Sequence, residues 1–374
     1  MISEVRMGKW AVAMSGGVDS SVAAAVLAAE GHEVVGLTMN LWPQWLPEPD
    51  DSFKACCGVS AIEDARAVAR RLGIRHYVLN MREEFERAVI GYFVEEYARG
   101  RTPNPCIACN QAIKFSLLMA KVTALGMDGV ATGHYARVAR DEATGRFLLL
   151  RGRDLRKDQS YVLYGLTQAQ LAKVRLPIGE HAKEETRALA RRFGLPVADK
   201  PDSQEICFVP RGSYTDVVAR FRPEALTPGP ILDTTGRVIG EHSGIARYTI
   251  GQRRGLGVAV GKPHYVVGID RDRNAVIVGG EEDLLCVELV ATNVNWVAIP
   301  TLDGPREVTA RLRHASRDVE ATVRPGQHPA EVVVRFAQPQ RAAAPGQAVT
   351  LYDGERVLGG GTITGIRSAA EACV

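Results

Sequence analysis

Ser15-Gly16-Gly17-Val18-Asp19-Ser20-Ser21 joins a buried-strand pattern over 9–14 to an Ala/Val-rich helix pattern over 19–30. That junction is where open α/β sheets bind ligands. Two glycines permit positive φ and close approach of the backbone to an anion. The free amides and the dipole of the following helix favour phosphate. Ser15, Ser20 and Ser21 add hydroxyl donors. The segment lacks the Gly-Lys-Ser/Thr ending of a Walker loop, which argues against kinase or GTPase chemistry. Gly255-x-Gly257-x-x-x-Gly261 has the wrong spacing for a dinucleotide fingerprint, and no helix pattern follows it.

Outward from this loop, strand and helix patterns alternate. Strands are expected at 33–39, 76–80 and 127–132, with helices at 63–72, 83–97 and 112–125. The helix over 83–97 is apolar at 85, 88, 89, 92 and 93, one face of a 3.6 period. Strands separated by helices of this length predict βαβ units and a mainly parallel sheet. Near Pro201 glycines and prolines become frequent, and after 287 the pattern is β throughout. The expected fold is α/β in three parts: an N-terminal parallel-sheet domain (1–205), a small central domain (206–282) and a C-terminal all-β, barrel-like domain (283–374).

The 374 residues exceed what one core commonly holds. No apolar run is long enough to span a membrane, and no signal peptide pattern opens the chain, so a cytoplasmic protein is expected. Net charge is only +3. From 137 to 157, however, seven basic residues (Arg137, Arg140, Arg146, Arg151, Arg153, Arg156, Lys157) face three acids (Asp141, Glu142, Asp154). On charge alone that stretch is a solvated loop. Seven cysteines form no disulfide framework in a reducing compartment.

Thr102-Pro103-Asn104-Pro105-Cys106-Ile107-Ala108-Cys109-Asn110 reads as a rigid, proline-stiffened loop ending at a helix start, a position that favours thiolate at Cys109. A Cys-x-x-Cys pair alone suits a redox pair, half a metal site or coincidence. Asp202-Ser203-Gln204-Glu205-Ile206-Cys207-Phe208 supplies another cysteine. Cys286 and Cys373 read as inert, and the adjacent Cys56 and Cys57 read as part of a loop before a helix.

The opening loop resembles the SGGxDS loop of the N-type ATP pyrophosphatases, which cleave ATP between the α- and β-phosphates and form adenylated intermediates. By that resemblance Ala13, Met14, Ser15, Gly16, Gly17, Val18, Asp19 and Ser20 contact ATP, Asp19 helps hold Mg²⁺, and Met39 contacts the adenine. Taken with Gly100–Asn110, Ile113-Lys114-Phe115, Thr132-Gly133-His134-Tyr135-Ala136-Arg137, Lys157-Asp158-Gln159-Ser160-Tyr161 and the Cys207 segment, in this order and spacing, the chain resembles the tRNA-specific 2-thiouridylases over about 10–365.

The resemblance implies that ATP adenylates the C2 oxygen of the wobble uridine and that sulfur then replaces it. Cys207 matches the persulfide carrier and Cys109 its catalytic partner, leaving a Cys109–Cys207 disulfide. Cys106 stands where one branch of the family has Asp, an acid/base that a thiol replaces less well. Three cysteines in reach make an iron–sulfur cluster on Cys106, Cys109 and Cys207 the alternative, with an open iron site for sulfide. Gly133 would touch ATP. Asn104, Pro105 and Cys106 would lie against the base, with His134, Lys157, Asp158 and Gln159 on tRNA.

Alternation at 308–313 predicts one buried face and one face of arginines. Arg313, His314 and Gln347 are the chosen tRNA contacts there. The expected partners are the tRNA anticodon arm, with its uridine flipped out, and an upstream sulfur carrier or cysteine desulfurase. Rival readings are argininosuccinate, GMP or lysidine synthesis, which need no cysteine pair. Synthases of 2-thiocytidine and 4-thiouridine, a mitochondrial form and a non-catalytic RNA- or metal-binding protein are further rivals.

Overall fold

The computed structural model describes residues 7–46, 59–202, 206–209, 213–257, 264–314 and 316–368. Cys56, Cys57, Gly261, Cys373 and the Ser203–Glu205 part of the Cys207 motif lie outside them. The chain separates into two compact units: Met1–Val89 with Cys106–Arg211 and Glu355–Val357, and Ile90–Pro105 with Gly212–Gly354 and Leu358–Val374.

The first unit is built on five strands: β1 (Lys9–Ala13), β2 (Glu33–Asn40), β3 (Arg75–Asn80), β4 (Gly129–Ala131) and, further along, Val174–Arg175. All neighbours are parallel, in the order β3-β2-β1-β4 and then Val174–Arg175. The order reverses between β1 and β4, so the crevice beyond their C-terminal ends is the topological switch point. Helix α1 (Val18–Ala29) enters from that crevice. Its Val22, Ala23 and Ala24 are fully buried, between the sheet and the helix Lys183–Arg192. A helix covered on nearly every side loses the usual polar stripe, which is why its sequence is uniformly small and apolar.

Several expectations shift. The helix expected at 63–72 begins at Val59. The one expected at 112–125 begins at Pro105 and reaches Ala124, passing into a wider π-helical winding over Cys109–Leu118. Cys106 and Cys109 therefore stand on helix rather than in a loop before it. Proline suits a helix's first position because its missing N–H has no intrahelical partner there. The basic stretch is no loop either: β5 (Ala136–Arg140) and β6 (Phe147–Arg151) form an antiparallel hairpin.

In the second unit, β8 (Gly229–Asp233), β9 (Val238–His242), β10 (Tyr265–Asp270) and β11 (Ala275–Gly279) make a four-stranded sheet, taking Val174–Arg175 as β7. Six further strands close into an antiparallel barrel: β12 (Leu285–Trp296), β13 (Arg306–Arg311), β14 (Val319–Pro325), β15 (Val332–Arg341), β16 (Ala348–Asp353) and β17 (Arg356–Ser368). The order β12-β15-β14-β13-β16-β17 is closed by β12 pairing with β17, so the barrel has no free edge. Its core holds Leu289, Val323, Val334, Val349 and Leu351. Val308, Ala310 and Leu312 point inward as expected. The opposite face is not simply arginines toward water: Arg311 is buried, bonded to Asp318 at 2.7 Å and lying over Tyr352.

Candidate active site

At the end of β1 the chain turns through Ser15-Gly16-Gly17. Gly16 has φ +66°, and a β-carbon there would stand 2.3 Å from the Ala61 carbonyl oxygen. Only glycine fits. Gly17 caps α1 with no side-chain cap bond, so the first-turn amides are not taken by a capping side chain. The Ser20 hydroxyl accepts from the Ser15 amide at 3.1 Å and lies 3.3 Å from the Ser15 hydroxyl. Ser21 donates to the Gly17 carbonyl at 2.7 Å, and Ser20 reaches the same carbonyl at 3.4 Å, so both hydroxyls bond back to the helix start.

Gly133, after β4, closes the other side of the crevice. A β-carbon on it would meet the Asp19 carbonyl carbon and the Ser20 amide nitrogen, each at 2.5 Å. Ala13, Met14 and Met39 are buried at the strand ends. The structure thus brings the loop residues 13–20, Met39 and Gly133 to one side of one sheet.

A charged network surrounds the loop; Lys157 was marked in the sequence, but Lys183, Arg187 and Lys200 were not. Lys183 Nζ donates to both Asp19 oxygens, at 2.7 and 2.9 Å, and pairs with Asp202 at 2.8 Å. Tyr135 OH donates to Asp19 at 2.8 Å. Lys157 and Arg187 also bind Asp202, at 2.9 and 3.0 Å. Burial works against the Asp202 carboxylate, yet hydrogen bonds from Lys183 and Lys157 hold it below the usual carboxylate range. Lys200 donates to the Gly16 carbonyl at 3.2 Å and pairs with Asp64.

Cys106 is exposed and Cys109 half-buried, one on the helix's first turn and the other where the winding widens. Such π-helical stretches concentrate at functional positions. Further along this helix Lys114 donates to Asn110 at 2.9 Å, and Phe115 lies 6.1 Å from the His134 ring. Cys207 sits half-buried in a turn. Its neighbour Phe208, 1% exposed, packs edge-on against Phe85 at 5.8 Å. The turn Arg82–Phe85 in its turn packs on the Cys109–Leu118 stretch. Cys286 lies in the barrel core, where burial pushes its thiol up to about 11. No group of three or more His, Cys, Asp or Glu among the described residues is arranged to hold a metal ion.

Three family models cover the chain: a tRNA methyl transferase HUP domain at 8–211, a tRNA methyl transferase PRC-barrel domain at 215–280 and an aminomethyltransferase beta-barrel domain at 287–363. The tRNA-specific 2-thiouridylase MnmA of Moorella thermoacetica is 54% identical over 355 residues, 95% of this chain and 99% of the relative. That of Symbiobacterium thermophilum is 53% identical over 355 residues, 94% of this chain and 91% of the relative. The chain belongs to the tRNA-specific 2-thiouridylase (MnmA) family. A solved 4-thiouridine synthetase–RNA complex with bound ATP is 18% identical over 58% of this chain and 51% of its own, with a TM-score of 0.33, too slight a likeness to bear on function.

Within this MnmA-family chain the residues expected on tRNA fall into two kinds. His134, Lys157, Gln159, Arg313, His314 and Gln347 reach the surface wholly or partly. Burial and the nearby Lys114 charge hold the His134 pKa well below its usual value, so the ring is neutral, with Nδ1 2.7 Å from the Thr132 hydroxyl. Asp158, by contrast, is buried and accepts from the Gly152 amide and from the Ser160 amide and hydroxyl at 3.0, 3.1 and 2.9 Å. Gln159 accepts from the Tyr135 amide at 2.9 Å. Gln347 donates to the carbonyls of Thr102 and Pro103 at 2.9 and 3.3 Å, at the segment leading to Asn104, Pro105 and Cys106.

Proposed function

We propose that this chain is an ATP-dependent tRNA 2-thiouridylase that adenylates the C2 oxygen of the wobble uridine and replaces that oxygen with persulfide sulfur. What supports the reading is the union, in one unit, of an uncapped phosphate loop at the switch point with Cys106, Cys109 and Cys207. Relatives of the same printed activity match over nearly the whole chain.

C2 of uracil is a poor electrophile until its oxygen can leave. In the first step that oxygen bonds to the α-phosphorus, the bond to the bridging oxygen breaks, and its electron pair departs on pyrophosphate while the N3 proton passes to water. Amides of the Gly16–Ser20 turn hold the phosphates. Mg²⁺ neutralises charge on the phosphates when bound. One carboxylate with phosphate oxygens suffices for it, and Asp19 is the carboxylate placed for that.

In the second step the Cys109 thiolate attacks the Cys207 sulfur of a Cys207 persulfide. Hydrosulfide leaves as a Cys109–Cys207 disulfide forms. Hydrosulfide adds to C2, AMP departs and N3 regains a proton. A cellular thiol reductant returns the disulfide to thiols, and an upstream sulfur-carrier or cysteine desulfurase protein reloads Cys207. Cys106 would lie beside the base with Asn104 and Pro105 and pass protons, a reading that its exposure on the helix's first turn supports. His134, Lys157, Arg313 and His314 contact tRNA, whereas Asp158, Gln159 and Gln347 position the segments that do.

The test is reaction of purified protein with ATP, Mg²⁺, a sulfur donor and unmodified tRNA, followed by nucleoside mass spectrometry. Wobble 2-thiouridine with matching AMP, both steps requiring ATP and thiolation requiring Cys207, is the expected result. AMP without thiolation by the wild type, or thiolation that does not need ATP, would overturn it.

A further inference from the structure

The basic residues between 137 and 157 are largely answered within the chain: Arg137, Arg151, Arg153, Arg156 and Lys157 each pair with a carboxylate. A second basic stretch is not. From 243 to 263 the sequence carries Arg247, Arg253, Arg254 and Lys262 and no Asp or Glu. Arg253 and Arg254 are exposed, and among the described residues neither guanidinium has a partner. The turn beneath them is nevertheless fixed. Tyr248 and Leu256 flank it and are buried in the core of the β8–β11 sheet. The Gly251 amide donates to the Val266 carbonyl at 2.8 Å and the Val266 amide to the Gln252 carbonyl at 2.9 Å, tying the turn to β10. The Gln252 side chain spans it, accepting from the Thr249 amide at 3.2 Å and donating to the Arg254 carbonyl at 3.1 Å. Gly251 and Gly255, at φ +86° and +75°, take the left-handed bends. Adjacent like charges repel, and the fold gains nothing from either guanidinium, yet the backbone that presents them is tied down on both sides.

We propose that the turn at 249–255 binds the phosphate backbone of tRNA, with Arg253 and Arg254 as its contacts. This rests on the reading that the chain acts on tRNA. A guanidinium offers a planar fork of N–H donors that matches phosphate oxygens, and adjacent arginines can each take one phosphate of a strand. The turn is rigid before RNA arrives, so little is lost in ordering it. Phosphates look alike at every nucleotide. The turn therefore adds affinity and fixes the orientation of the RNA without reading its sequence. An acidic protein is the other polyanion that could meet such a turn. RNA is favoured because phosphate contacts need only uncompensated, exposed guanidiniums, whereas a protein interface needs an apolar centre. The exposed positions here, Arg253, Arg254, Gly255 and Gly257, supply none.

The full chain is titrated with unmodified tRNA at salt concentrations from about 0.05 to about 0.3 M. Arg253→Gln combined with Arg254→Gln should weaken binding about tenfold at about 0.1 M salt. The slope of log affinity against log salt should become shallower by about 1.5–2, the share of a pair of phosphate contacts. A tRNA with cytidine at the wobble position should lose the same factor, since phosphate contacts carry no sequence information. Arg253→Lys combined with Arg254→Lys keeps the charges and should restore most of the slope but only part of the affinity. Thermal melts check that the variants fold. If the glutamine pair does not, each single glutamine variant is read, with a slope shallower by about 0.7–0.9. A folded glutamine pair whose affinity stays within about twofold of wild type, with a slope within about 0.5, overturns the proposal. So does tRNA binding of wild-type strength joined to loss of thiolation from a protein sulfur donor but not from sulfide, which would assign the turn to the donor protein. Wild type that binds no tRNA would instead remove the tRNA reading itself.

Discussion

A β-carbon at position 133 would have to occupy space 2.5 Å from the backbone of Asp19 and Ser20. Gly133→Ala should therefore push the start of α1 out of place, lowering AMP formation about 100-fold in a protein that still folds, as read by initial rates beside a thermal melt. Cys109→Ser and Cys207→Ser should behave oppositely, keeping tRNA-dependent AMP formation and losing 2-thiouridine. Retained thiolation in either would sink its assignment. Asp202 carries a pH signature. Its pKa is lowered in the fold, so its contribution to stability is present above the usual 3.8 and disappears as the pH falls through the folded value. The difference in melting temperature between wild type and Asp202→Asn should be largest near about pH 6 and shrink below about pH 4. The phosphate loop was legible because its residues are contiguous. Lys183 and Lys200 were not, since they reach Asp19 and Gly16 across 164 and 184 positions and carry no local motif.

At the scale of elements, the sequence showed parallel strands wherever apolar runs were bounded by helices. It hid the helix start at Pro105, because two prolines read as a loop until one is seen to occupy a first helical position. It hid the hairpin Ala136–Arg140 and Phe147–Arg151 behind its charges, two of which are paired within the chain: Arg137 on Glu355 and Glu180, Arg151 on Asp158. It hid β17 behind glycines. At Gly359 and Gly361 a β-carbon would strike the carbonyl oxygens of Asn295 and Thr292 at 2.5 and 2.8 Å, because this strand closes the barrel against β12. Glycines that weaken a strand pattern here allow the closure. Phe208 gives this scale its prediction. Phe208→Ala removes the anchor beside Cys207 and should cost about 3 kcal/mol or more by denaturant titration. Thiolation should fall far more than AMP formation, and an equal fall in both would show that the anchor does not act on Cys207.

At the scale of the whole molecule, the two compact units are interleaved along the chain rather than strung in succession. The α/β and all-β characters were readable from texture, but interleaving was not, because it depends on pairings such as Thr102 with Pro345 that no window of sequence contains. The Thr102 amide donates to the Pro345 carbonyl at 2.8 Å, and Gly346, with φ +90°, packs where a β-carbon would stand 3.0 Å from Thr102. Gln347→Ala removes two bonds from this dock. It should reduce thiolation several-fold while AMP formation changes little, with a stability loss of about 1–2 kcal/mol by chemical denaturation. This dock also has a bearing on biosynthesis. Thr102 emerges from the ribosome 245 residues before Gln347. At about 5–20 residues per second, the segment leading to the cysteines waits on the order of 10–50 seconds for the turn that will hold it. Throughout that interval the carbonyls of Thr102 and Pro103 lack their Gln347 partner, so this part of the second unit closes only when nearly the whole chain has been made.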